Sequence, residues 1–186
     1  MTLLITGLIL FAVVHLTPAL FPGVKTACYA KLGEGGYKGI FSLLLLAGMA
    51  GIIMGWRSTL PELVYLPSPD LRLPALALVC LGFFLFTISN RPSRVRQFIR
   101  HPQLTGLICW SVAHLLLNGE DRSLLVFGAL GIWAIVEIIA INRREGAWVK
   151  GEVPELTTEL VSVLITAVVI AVVVAIHPWI SGMPVV

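Results

Sequence analysis

Charged side chains are scarce in this sequence. Lys, Arg, Asp and Glu make up 12% of the 186 residues, whereas 58% are hydrophobic, and the mean hydropathy is +0.95. A water-soluble domain of this length cannot hide that much apolar surface in one core, and a disordered chain has a far more polar composition. The composition therefore excludes both classes and indicates an integral membrane protein, with membrane lipid as its first partner.

Cysteine is also rare, and the basic residues do not gather in one place. The chain has three cysteines and no CxxC pair, which argues against a disulfide framework and a structural zinc site. Thirteen basic and 10 acidic residues give a net charge of +3, and they lie between the apolar runs. A nucleic-acid partner is therefore not predicted, because such proteins concentrate positive charge on one face.

Six segments are free or nearly free of charge. They span residues 2–21, 39–56, 73–89, 102–117, 123–141 and 160–176. These lengths are typical of membrane-spanning helices, and the segments lack the alternation of apolar and polar residues that marks barrel strands. We predict an all-α polytopic membrane protein with six transmembrane helices in a single domain, residues 1–186. The first segment lacks the basic start of a signal peptide and is expected to be retained.

The distribution of Lys and Arg predicts the orientation in the membrane. Loops one, three and five carry ten basic residues, whereas the loops on the opposite side of the membrane carry three. The ten are Lys25, Lys31, Lys38, Arg91, Arg94, Arg96, Arg100, Arg143, Arg144 and Lys150. Basic loops stay in the cytoplasm. We therefore expect a multi-pass protein of the bacterial inner (cytoplasmic) membrane with both termini in the periplasm.

The first and fourth segments share a motif. Residues 7–16 and 106–115 agree at six of ten positions. The positions with chemical interest are Gly7, Phe11 and His15 in the first segment and Gly106, Trp110 and His114 in the fourth. A spacing of four places each set on one helix face, with the glycine leaving room beside the histidine. Because segments three apart cross in opposite directions, the motif predicts an inverted 3+3 repeat with a binding site between its halves.

His15 and His114 are the candidate ligands of a metal or a haem. Ionisable side chains at this depth are costly, although an interhelical hydrogen bond is a simpler use for them. At 1.5 Å per residue, the two histidines differ in depth by ~8 to 10 Å. A porphyrin with an imidazole on each face fits this offset, and the neighbouring glycines and aromatic residues suit it. A mononuclear zinc site fits less well, because only two ligands converge and HExxH is missing.

Three further polar residues, Arg100, His101 and Glu137, are candidates for a second shell or an anion site. His101 lies between Arg100 and Pro102 at the start of the fourth segment, where it could cap the helix or, with Arg100, bind an anionic group. Glu137 lies inside the fifth segment, and it could extend toward Arg144 or Arg100. It could equally make a second-shell hydrogen bond to an imidazole ligand.

Together these residues resemble a known family. The motif elements are His15, Gly33-Glu34, Tyr37, Phe41-Ser42, Arg100-His101-Pro102-Gln103-Leu104, Trp110 and Ala113-His114-Leu115. This pattern is similar to the NnrU family, which implies a membrane protein linked to denitrification and nitric oxide metabolism. It also resembles the plant and cyanobacterial zeta-carotene cis-isomerase, which implies a non-covalent haem b held by His15 and His114. That likeness leaves open a redox-gated isomerase of a lipophilic molecule, although the isomerase's additional histidine-rich patch is replaced here by Gly131-Ile132-Trp133.

A second resemblance points to a different class of protein. Arg100-His101-Pro102, followed by Arg143-Arg144-Glu145, is similar to the isoprenylcysteine carboxyl methyltransferases, although Gly146 stands where a second glutamate is usual. This likeness implies S-adenosylmethionine as the alternative cofactor, and it leaves His15 without a role. Whether the chain is an enzyme, a nitric oxide binder or an assembly partner stays open at this stage.

Overall fold

The computed structural model describes residues 1–181, and these fold into six α-helices. The helices are α1 (Thr2–Leu20), α2 (Pro22–Ser58), α3 (Arg72–Ile88), α4 (Pro102–Leu117), α5 (Asp121–Glu145) and α6 (Leu156–Ser181). Short 3-10 turns span Pro69–Leu71 and Arg94–Gln97. The predicted all-α class is confirmed. The end of the predicted external C-terminus, residues 182–186, lies outside the described residues.

Five of these helices are long and apolar enough to cross a membrane, which indicates a multi-pass membrane protein. The exception is α4, which is apolar but has only 16 residues. Its start matches the predicted segment at Pro102, because proline suits the first turn of a helix, where its missing N–H costs nothing.

Helix α2 begins earlier than predicted. The apolar pattern predicts a segment over 39–56, whereas α2 runs for 37 residues from Pro22. The additional part carries Lys25, Lys31 and Lys38, so it is helical without being apolar. Gly33 interrupts the helix with a φ of +69°, a conformation that glycine adopts without a Cβ penalty. Residues 22–32 therefore form an arm that leaves the axis of the main helix, and we call this segment the α2 arm.

Glycines set the closest helix contacts. A Cβ atom built on Gly7 would lie 2.6 Å from the Ile52 nitrogen, and one built on Gly55 would collide with the Leu4 backbone. Small residues let membrane helices approach until their backbones touch. Helix α1 therefore packs against α2 along a seam of glycines.

The partner of the matching glycine in α4 is a different helix. A Cβ atom built on Gly106 would lie 2.8 Å from the Gly82 oxygen in α3. In a 3+3 repeat, Gly106 would instead contact α5, the counterpart of α2. The packing around the two glycines is thus not repeated, and the inverted repeat stays a prediction.

Helix α5 is the centre of the bundle. It packs against both α1 and α4, while α3 packs against α4 and α6. Its buried face includes Val126, Phe127, Trp133, Ala134 and Glu137. Leu4 and Leu8 of α1 join Val126 and Phe127 in the core cluster. This arrangement places the motifs of α1 and α4 against one common helix.

Candidate functional site

His15 lies in a cage of aromatic rings. Its Nδ1 is 3.1 Å from the carbonyl oxygen of Phe11, one turn earlier in α1. The centroid of its ring is 4.3 Å from that of Phe11, 4.9 Å from that of Trp133 and 5.9 Å from that of Phe41. Three helices, α1, α2 and α5, thus build the surroundings of one half-buried imidazole.

His114 lies in a second cage of the same kind. Its Nδ1 is 2.9 Å from the carbonyl oxygen of Trp110, again one turn earlier. Its ring centroid is 4.5 Å from that of Trp110 and 4.4 Å from that of Phe127.

The hydrogen bonds define which nitrogen of each imidazole is available. A carbonyl oxygen only accepts, so Nδ1 of His15 and of His114 must carry the proton in these bonds. Among the residues that the structure describes, neither Nε2 makes a hydrogen bond. The Nε2 lone pair of a neutral imidazole is a good metal ligand, and a bond at Nδ1 fixes the tautomer.

The two cages lie along the same helix. His15 contacts Trp133 and His114 contacts Phe127, and these two α5 residues are six positions apart. Six residues of α-helix rise by about 9 Å. The two imidazoles therefore contact α5 at levels about 9 Å apart along its axis, and the offset that would suit a porphyrin stays a prediction. Phe127 is a site residue that the sequence reasoning missed, since one more phenylalanine in an apolar segment carries no signal.

The motif glycines lie outside the cages. The space above Gly7 is occupied by α2 and the space above Gly106 by α3. Their contacts are therefore those of helix packing, and their assignment to a cofactor stays a prediction. Phe11 and Trp110, in contrast, touch the two imidazoles directly.

Glu137 is a buried acid. Its residue is 8% exposed, and its Oε2 has no hydrogen-bond partner among the described residues. Arg100 and Arg144 both form ion pairs with Glu145, and both imidazole Nδ1 atoms bond to carbonyls. The two roles considered for Glu137, an extension toward an arginine and a hydrogen bond to an imidazole, therefore stay predictions. Trp133, one turn away, also has an Nε1 without a hydrogen-bond partner in the described part of the chain.

Arg100 and His101 join α4 to the end of α5. His101 occupies the predicted N-cap position of α4, although its side chain makes no capping hydrogen bond. Its Nε2 lies 3.0 Å from Asn142 Oδ1. Arg100 donates to the Gly146 carbonyl at 2.8 Å and pairs with Glu145 at 3.2 Å. Arg100, His101 and Glu145 line a surface cavity of about 480 Å³.

Within residues 1–181, no three His, Cys, Asp or Glu side chains converge as metal ligands.

Comparison with known protein families identifies a match. A family model described as NnrU protein matches residues 3–185, which is nearly the whole chain. No curated protein and no solved structure matches the chain.

Proposed function

The chain belongs to the NnrU family, and on that premise we propose that it is a membrane-embedded haem protein that holds one non-covalent haem b between α1 and α4. The observation that carries the proposal is the pair of caged imidazoles. In each, Nδ1 donates to a carbonyl oxygen of its own helix, and Nε2 makes no hydrogen bond to any described residue. His15 and His114 are the two proposed axial ligands.

The chemistry of the surroundings fits this cofactor. Imidazole nitrogen is a standard haem ligand, and aromatic walls exclude water from a porphyrin. The chain has no CxxCH motif, so covalent attachment is not expected. When bound, haem supplies one-electron redox chemistry and a site for a diatomic ligand such as nitric oxide. The protein's contribution is to fix both imidazoles and to keep their surroundings apolar.

The absorption spectrum tests the proposal directly. Protein purified after expression with adequate haem supply should show a Soret band at one haem per chain. Release of the haem by acidified organic solvent should then establish that it is not covalently bound. On reduction, exchange of one histidine for nitric oxide would support the denitrification link, whereas failure to bind nitric oxide would favour electron transfer.

A second candidate function rests on the cavity beside α4. The structure brings the adjacent residues Arg100 and His101 together with Glu145, which is distant in the sequence. A cavity with both charge signs suits a zwitterionic molecule such as S-adenosylmethionine. This function predicts that calorimetry detects binding of S-adenosylmethionine and that His101→Ala abolishes it without lowering haem content. Absence of binding heat in the unmodified protein would remove methyl transfer from consideration.

The orientation in the membrane is tested independently of any cofactor. We expect loops one, three and five in the cytoplasm, because they carry most of the basic residues. In a cysteine-free background, Ser68→Cys should react with an impermeant maleimide in intact cells, and Glu152→Cys should not. Both positions are exposed, so both should react once the cells are permeabilised. The reverse pattern would invert the topology.

A further inference from the structure

A row of aromatic rings leads from the His15 cage to the α2 arm. The His15 ring lies 5.9 Å from Phe41, and Phe41 lies 5.7 Å from Tyr37 in a stacked geometry. Tyr37 in turn lies 4.9 Å from Tyr29, all measured between ring centroids. The four rings are thus in consecutive contact, and the row ends in two phenols at the partly exposed surface.

The contact between the two tyrosines depends on the kink in α2. Residues eight apart on a straight α-helix are separated by about 12 Å along its axis. The bend at Gly33 brings the rings of Tyr29 and Tyr37 to 4.9 Å despite this spacing. The positive φ of Gly33 therefore creates the phenol pair, which a regular helix would not contain.

Phenols at the end of such a row have a specific chemistry. Tyrosine gives up an electron readily when its hydroxyl proton can leave at the same time, and partial exposure gives that proton a route to water. Tyrosine also anchors helices at membrane interfaces, and Lys25 lies 5.4 Å over the Tyr29 ring, as in such an anchor. Anchoring alone, however, requires neither the pairing of two phenols nor their continuity with His15.

We propose that this row of rings carries electrons between the His15 cage and the surface, with Tyr29 and Tyr37 as its oxidisable end. The inference rests on the proposed haem at His15, which would meet the oxidant. With a hydroperoxide as oxidant, each tyrosine supplies one electron and one proton. Hydrogen peroxide accepts both pairs and leaves as two water molecules, and two neutral phenoxyl radicals remain on the protein.

The proximity of the two radicals leads to a defined product. Phenoxyl radicals in contact couple through the ring carbons next to their hydroxyl groups. One carbon–carbon bond forms, and the hydrogen on each coupled carbon moves to its own phenolic oxygen. The product is a dityrosine between residues 29 and 37, and the chain has lost two hydrogen atoms to the water formed.

Peptide mapping detects this product. Trypsin cleaves after Lys25, Lys31 and Lys38, so Tyr29 and Tyr37 fall in separate peptides, 26–31 and 32–38. Haem-loaded protein with alkylated cysteines is treated with hydrogen peroxide and digested. The expected result is a joined peptide whose mass is the sum of the two minus two hydrogens. It should fall to the level of untreated protein in Tyr37→Phe and in Tyr29→Phe.

Matched variants separate the route from general oxidation. Tyr65, the only other tyrosine, lies in the loop before α3, where its hydroxyl bonds to the Asn118 carbonyl. Tyr65→Phe should leave the joined peptide unchanged. Gly33→Ala disfavours the kink and should lower the yield of the joined peptide while the Soret band is retained.

Failure of the electron route and failure of the proposed haem site give different results. A Soret band without the joined peptide, or a joined peptide that persists in haem-free His15→Ala protein, overturns the electron route and leaves the proposed haem site standing. A preparation that never shows a Soret band overturns both, because no oxidisable group then exists at His15.

Discussion

Replacing His15 or His114 by alanine should lower the haem affinity by about tenfold or more. Loss of an outer hydrogen bond to a metal ligand already costs 10–100-fold, at order of magnitude, and each of these variants removes a proposed ligand itself. The measurement is haem content per chain, from the Soret band and the protein concentration, after washing in detergent. The remaining haem should change from a six-coordinate to a five-coordinate spectrum.

His101→Ala is the matched control for this experiment. His101 is on the same helix as His114, but its side chain binds Asn142 at the end of α5, away from both cages. Its haem content should stay near that of the unmodified protein. Equal losses in all three variants would indicate general unfolding, and retention of haem in His15→Ala and His114→Ala would refute the assigned ligands. Exogenous imidazole should restore the six-coordinate spectrum in the glycine variants of His15 and His114.

The second large effect is expected at the seam between α1 and α2. A Cβ atom on Gly55 would collide with the backbone of Leu4, so Gly55→Ala must push the two helices apart. Overpacking of this kind costs about 1 to 3 kcal/mol. We expect a clearly lower unfolding temperature for Gly55→Ala than for the unmodified protein. Circular dichroism of both proteins in detergent, recorded on heating, measures it.

Gly35→Ala is the control on the same helix. No atom lies within 4 Å of a Cβ built on Gly35, so the substitution meets no neighbour. Alanine also has the higher helix propensity, by roughly 0.5 to 1 kcal/mol. The stability of Gly35→Ala should therefore be equal to or above that of the unmodified protein. A Gly55→Ala protein as stable as Gly35→Ala would show that α1 and α2 do not pack as closely as described.

Composition and patterning were sufficient for the fold class. Uninterrupted apolar runs predicted all six helices, because a backbone in lipid must satisfy its own hydrogen bonds. The α2 arm was missed because its lysines keep it out of any apolar window. Helix formation there needs only good local propensity and the proline at its start.

The sequence by itself also selected His15 and His114, since histidine is rare and costly in an apolar segment. The tertiary structure decided what surrounds them. Hydrophobic residues fill every face of a membrane helix, so the sequence does not show that Phe127 and Phe41 face the imidazoles. It equally could not show that the glycines beside the histidines face neighbouring helices, or that Glu137 Oε2 has no hydrogen-bond partner among the described residues. Those features follow from how the helices pack around α5, and packing depends on contacts between distant residues that no local pattern records.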